Sequence, residues 1–118
     1  MIKIIKDKIS IDELKKIAKN RFGDLIKAVV DIKKGIMVID GDLHSDEEVL
    51  LLENGSKQEN LWGINIYPEN KNEDLIEFDS MINLRPWQEN RSRGINDPEI
   101  RKKVTEIVNQ LIENDLST

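Results

Sequence analysis

The spacing of apolar residues along the chain changes several times, and each change marks an element. Ile2 to Lys6 predicts a short first strand. Ser10-Ile11-Asp12-Glu13 then forms a capping box, with Ile9 and Leu14 placed for a hydrophobic staple. Ile11, Leu14, Ile17, Ala18 and Phe22 follow at helical spacing, and Gly23 supplies a left-handed stop. Leu25 to Ile32 and Ile36 to Asp40 predict a hairpin around Lys33-Lys34-Gly35, a three-residue loop with glycine last. That loop sets Ile32 opposite Ile36 and Val30 opposite Val38, and leaves Val29 and Ile39 on the other face. Both faces are partly apolar, which predicts central strands covered on both sides.

Ser45-Asp46-Glu47-Glu48 is a second capping box, and a helix through Val49-Leu50-Leu51-Leu52 should end near Asn54-Gly55. Its apolar run is too continuous for a surface helix, so the helix is expected to be largely buried. Leu61 to Tyr67 reads as a strand ended by Pro68, and Glu69 to Asp74 as a polar turn. Ile76 to Arg85 reads as a long strand ended by Pro86. Ile76, Phe78, Ser80, Ile82 and Leu84 would point one way and Glu77, Asp79, Met81, Asn83 and Arg85 the other. A long loop from Pro86 to Asn96 leads to a helix capped by Asp97, with Pro98 at its first position. Ile100, Val104, Ile107, Val108, Leu111 and Ile112 form the buried stripe of that helix, and Asn114 onward should fray. The order β-α-β-β-α-β-β-α implies an α+β fold, a mostly antiparallel sheet of about five strands packed by helices. Residues 1–118 form a single domain in this reading.

Composition narrows the function classes. Eighteen basic and 23 acidic residues give a net charge of -5, which opposes non-specific attraction to nucleic acid or anionic membrane. There is no cysteine, which removes disulfides, thiolate metal sites and a cysteine nucleophile. With one histidine besides, neither a tight metal site nor a cofactor is expected. The charged start Met1-Ile2-Lys3-Ile4-Ile5-Lys6-Asp7 is not a signal peptide, and no apolar run reaches the roughly 18 residues of a membrane span. A cytoplasmic protein is the expectation.

Directional polar chemistry is densest from Ile82 to Gly94, where Arg85, Arg91 and Arg93 alternate with Asn83, Asn90, Gln88 and Ser92. Arg85 would share a strand face with Asn83 and Asp79, and Asn65 of the neighbouring strand would fall on that face too. Guanidinium and amide groups gathered this way recognise carboxylate, phosphate or a partner's backbone. Asn65, Asn83, Arg85, Asn90, Arg91 and Arg93 are therefore the candidate binding residues. The competing structural reading has the arginines bonding loop carbonyls and pairing with Glu89, Asp79 or Glu77.

Two other clusters carry weaker signals. Asp40 to Glu48 places His44, the only histidine, among five carboxylates. The spacing matches no calcium loop, and helix-start rules explain most of the residues, with His44 left exposed. Asn54 to Asn60 holds a glycine, a serine and a lysine but lacks the P-loop pattern and runs from helix to strand. Trp62 alternates with Ile64 and Ile66 and belongs to the core. Trp87, in the polar loop, either covers a sheet edge or is an exposed anchor.

The strings Gly55-Ser56-Lys57-Gln58-Glu59-Asn60-Leu61-Trp62-Gly63-Ile64-Asn65-Ile66-Tyr67-Pro68, Phe78-Asp79-Ser80-Met81-Ile82-Asn83-Leu84-Arg85-Pro86 and Asn90-Arg91-Ser92-Arg93-Gly94 resemble a small uncharacterised prokaryotic family, a domain of unknown function. The likeness covers nearly the whole chain. It implies a stand-alone member of bacterial or archaeal cytosolic origin, and it brings no activity, ligand or catalytic residue. The expectation is a binding module for a small anion, a nucleotide or a protein partner. An RNase-like or phosphodiesterase-like enzyme with His44 or Glu59 as acid/base is the alternative, and a self-associating structural protein is a third. A homodimer is expected from the long edge of the Ile76–Arg85 strand.

Overall fold

The computed structural model describes residues 1–113. Seven strands and three α-helices follow one another as β1 (Lys3–Ile5), β2 (Ile9–Ser10), α1 (Ile11–Arg21), β3 (Ile26–Asp31), β4 (Ile36–Ile39), α2 (His44–Glu53), β5 (Leu61–Ile66), β6 (Ile76–Glu77), α3 (Pro98–Leu111) and β7 (Ile112–Glu113). Five strands make an antiparallel sheet in the order β1-β4-β3-β5-β6. The α+β fold and its sheet are those expected. The fray expected from Asn114 lies outside the described residues.

Helices cover both sheet faces. On one, Ala28, Val30, Met37, Ile39, Trp62, Ile64 and Ile66 pack with Leu14 and Ala18 of α1 and Val104, Ile107, Val108 and Leu111 of α3. On the other, Val29, Val38 and Leu61 pack with Leu51 of α2. Local chemistry fixes the ends of α1 and α3. The Ser10 hydroxyl accepts the Glu13 amide at 3.1 Å, and Asp97 accepts the Glu99 amide at 2.9 Å. The short β2 and β7 pair in parallel and tie the two helices together.

Four expectations need correction. The hairpin register is one residue off: Asp31 faces Ile36, Val30 faces Met37, Val29 faces Val38 and Ala28 faces Ile39. The Asp31 carboxylate accepts the amides of Lys33 and Lys34, both at 2.9 Å, and closes a four-residue turn instead of three. That slip sends Val29 and Ile39 to opposite faces.

Helix α2 does not start with a Ser45 capping box. Its N-cap is Leu43, whose side chain has no acceptor, and the Glu48 carboxylate accepts from the Arg85 guanidinium instead. Nor is α2 largely buried. Glu47, Glu48 and Leu51 face inward while Val49 and Leu52 are exposed.

The Ile76–Arg85 strand is only Ile76–Glu77. Beyond it, Ser80 caps a 3-10 turn over Met81–Asn83, and the Asn83 side chain takes the place of a strand backbone. Its Oδ1 accepts the Gly63 amide and its Nδ2 donates to the Gly63 carbonyl, both at 2.9 Å. Gly63 permits this approach, since a Cβ there would lie 2.6 Å from the Ser80 side chain. The long open edge behind the homodimer expectation is therefore missing.

Candidate functional site

The arginine-asparagine segment is a closed network. After Arg85 the chain turns through Pro86–Gln88 and Glu89, which has a φ of 60°, and returns so that Arg85 and Asn90 exchange backbone hydrogen bonds. Arg85 is fully buried. Its Nε donates to the Ile82 carbonyl at 2.9 Å. One terminal nitrogen donates to the Gln58 carbonyl at 2.8 Å and to Gln88, and the other to Glu48 at 3.2 Å and to the Leu61 carbonyl. These five bonds use all five N–H groups of a guanidinium. The group also lies 4.8 Å from the Trp62 ring centroid. Burial lowers the Arg85 pKa from its ordinary value while Glu48 opposes the shift, and a guanidinium keeps its charge regardless.

Asn83 and Asn90 are spent in the same way. Besides Gly63, Asn83 donates to the Arg93 carbonyl at 3.0 Å. Asn90 donates to the carbonyls of Asn83 at 2.7 Å and Gly94 at 2.8 Å, and accepts the Asn96 amide at 2.8 Å. These three residues brace the segment and leave a ligand no free donor. Arg91 is exposed. Arg93 pairs with Asp79 at 2.7 Å, its side chain 55% exposed.

Next to this network, on the same side of the sheet, a cleft of about 220 Å³ is lined by Lys27, Leu43, His44, Ser45, Asn65, Asp79, Ser80, Met81, Ile82 and Arg93. Lys27 of β3 and Asn65 of β5 are direct register partners and form its floor. The first residues of α2 form one wall. No side chain caps that helix, and its first two amides, those of His44 and Ser45, have no partner among the described residues, while the next two bond the Leu43 carbonyl. The segment after β6 supplies the opposite wall with Asp79 and Ser80.

Asn65 and Arg93 are thus the two expected site residues that meet here, joined by His44 and Lys27. Asn65 is 8% exposed. Its Nδ2 donates to Glu77 at 2.9 Å and to the Asp79 carbonyl at 3.3 Å, while its Oδ1 is buried without a partner among the described residues. The His44 ring is half-buried and not exposed as expected. Its Nε2 lies 2.7 Å from the Ile64 carbonyl. A carbonyl only accepts, so Nε2 carries the proton and Nδ1 is the acceptor of the neutral ring. Burial lowers the His44 pKa, against the Ile64 carbonyl, which favours the charged ring. Near neutral pH the ring is uncharged.

Glu47 is the functional-looking group the sequence hid. It is fully buried one turn after His44, accepts the Gly41 amide at 2.9 Å through Oε2, and leaves Oε1 without a partner. Burial pushes its carboxyl up to about 9, opposed by the Gly41 amide and Lys27. A Cβ on Gly41 would lie 2.6 Å from the Glu47 Cγ, so the glycine admits this carboxyl. The only sequence hint is a run of three acidic residues, Asp46-Glu47-Glu48, more than one exposed face of a helix can carry.

A larger groove of about 850 Å³ runs between α1, α3 and β6, over Ile11, Leu75, Ile76, Phe78 and Ile112. It contains none of the buried unpartnered polar atoms. Among the described residues, no group of three His, Asp or Glu side chains could hold a metal, and no helix is long and apolar enough to cross a membrane.

No curated protein and no solved structure matches the chain. A family profile, by contrast, matches residues 3–111 of the 118. The chain belongs to that family, described as a protein of unknown function, DUF5674.

Proposed function

We propose that the protein is a binding module whose ligand is a small anion held in the cleft at the start of α2. The observation that carries this reading is the position of Lys27, paired in register with Asn65, beneath the uncapped first turn of α2. A lysine ammonium and free helix amides are the two features anions seek, and each strengthens the other. Arg93 adds a second cation, offset by Asp79. A volume of about 220 Å³ is smaller than the roughly 300–1,000 Å³ of drug-sized pockets, which favours a small anion over a whole nucleotide.

Calorimetric titration with inorganic phosphate tests the reading. Saturable binding that weakens about tenfold in Lys27→Ala supports it. No heat of binding at millimolar phosphate would remove it.

A second reading, a protein partner or a second copy, is favoured by exposed apolar side chains. Leu43 at the N-cap of α2, Val49 and Leu52 on α2, and Met81 and Trp87 on the 3-10 turns are all exposed. Light scattering across a concentration series distinguishes a dimer from the 13.7 kDa monomer.

A further inference from the structure

We infer that the cleft selects oxyanions that still carry a hydrogen-bond donor, such as hydrogen phosphate, over those with none, such as sulfate. This rests on the anion-binding reading above and sharpens it. Lys27 and the α2 amides would hold any tetrahedral oxyanion through its lone pairs. Three other groups of the cleft, Asn65, His44 and Asp79, ask for the opposite.

Asn65 Oδ1 is buried and unpartnered. Its orientation is fixed, because turning the amide over would set an oxygen against both Glu77 and the Asp79 carbonyl, which now accept from Nδ2. The neutral His44 ring, tied through Nε2–H to the Ile64 carbonyl, also offers an acceptor at Nδ1. Asp79 gives one carboxylate oxygen to Arg93 and keeps the other.

Sulfate brings only lone pairs to these acceptors and is repelled. Hydrogen phosphate brings a P–O–H that satisfies one of them, and dihydrogen phosphate brings two. The cleft volume of about 220 Å³ corresponds to some seven waters at roughly 30 Å³ each, room for one tetrahedral oxyanion and a few waters. The donor could equally be the hydroxyl of a small hydroxycarboxylate, whose carboxylate would sit at Lys27.

The test measures wild-type affinities for sodium phosphate and sodium sulfate at pH 7 and equal ionic strength, with glycolate and acetate as a second matched pair. Phosphate is expected to bind at least about tenfold more tightly than sulfate, the size of effect one satisfied against one repelled hydrogen bond produces. Glycolate exceeding acetate by a similar factor, with both above phosphate, would support the donor rule and assign the site to hydroxycarboxylates. Equal binding of phosphate and sulfate would overturn the inference and leave the anion reading standing. No binding by any of the four would end both. In Asn65→Leu, once a cooperative melt shows it folded, the phosphate-to-sulfate ratio should fall toward one. An unchanged ratio in the folded variant overturns the role given to Asn65, and the wild-type comparison needs no variant at all.

Discussion

Two polar clusters lie side by side on one face of the sheet, and they have opposite fates. Every N–H of the Arg85 guanidinium is paired within the protein, so that group is finished as it stands. Around Lys27 and His44 a buried acceptor and the His44 and Ser45 amides lack partners among the described residues, so the cluster is open. Both draw on the segment after β6. The difference lies in depth. Arg85 is fully buried, and a charge taken out of water must be met by protein groups or it destabilises the fold. Lys27 and Arg93 keep contact with solvent and need no such closure. A dense run of arginine and asparagine therefore announces a hydrogen-bond network, and burial decides whether that network serves the fold or a ligand.

The largest effect is expected from breaking the closed cluster. Arg85→Ala leaves the Glu48 carboxylate and four accepting oxygens unmet, and should lower stability by about 3–5 kcal/mol in urea unfolding. A loss under about 1 kcal/mol would mean that solvent already serves those groups.

Glu47 sharpens the contrast through pH. Its folded-state pKa, about 9, lies above the unfolded value of 4.5. The stability this group contributes is fully present below 4.5 and declines as pH rises toward 9. Glu47→Gln removes the titration, so its stability relative to wild type should climb between pH 5 and pH 8, by at most about 4 kcal/mol at 1.36 kcal/mol per unit. A difference that stays flat across that range would show that Glu47 ionises normally.

Leu51→Ala tests whether α2 is anchored firmly enough to hold the cleft wall. Leu51 is fully buried, and the variant should lose about 3 kcal/mol, whereas Leu52→Ala on the exposed side should lose under about 0.5 kcal/mol. Similar losses at the two positions would mean that the outer face of α2 is covered in solution. The smallest expected effect is on stability in Lys27→Ala, within about 0.5 kcal/mol in thermal melts, despite its tenfold loss of phosphate affinity. A strongly destabilised variant would put Lys27 in the structural class with Arg85.

Much of the frame was legible because its signals are local. Ser10 and Asp97 announced α1 and α3 through their own caps, and the alternation of Trp62, Ile64 and Ile66 placed β5 in the core. What escaped depends on partners distant in sequence. Asp31 reset the hairpin by taking two turn amides and the Ser56 hydroxyl, at 2.6 Å. Asn83 ended β6 early by standing in for a strand beside Gly63. Two-residue strands such as β2 and β7 are too short for any periodicity to register.

The site was half legible. Asn65 and Arg93, which line the candidate cleft, were singled out because amides and guanidiniums stand out in sequence. Lys27 had one available signal, a positive charge near the start of the apolar strand β3, and His44 was explained away by rules for helix starts that α2 does not follow.

Chemical-shift mapping during a phosphate titration tests the central claim most directly. The claim is that the cleft receives a ligand and the arginine network does not. The account expects saturable shifts at the His44 and Ser45 amides and at the Asn65 side-chain amide, with the Asn83, Arg85 and Asn90 signals unmoved. Shifts centred on Arg85 Nε and the Asn90 amide, with His44 and Ser45 unchanged, would contradict it.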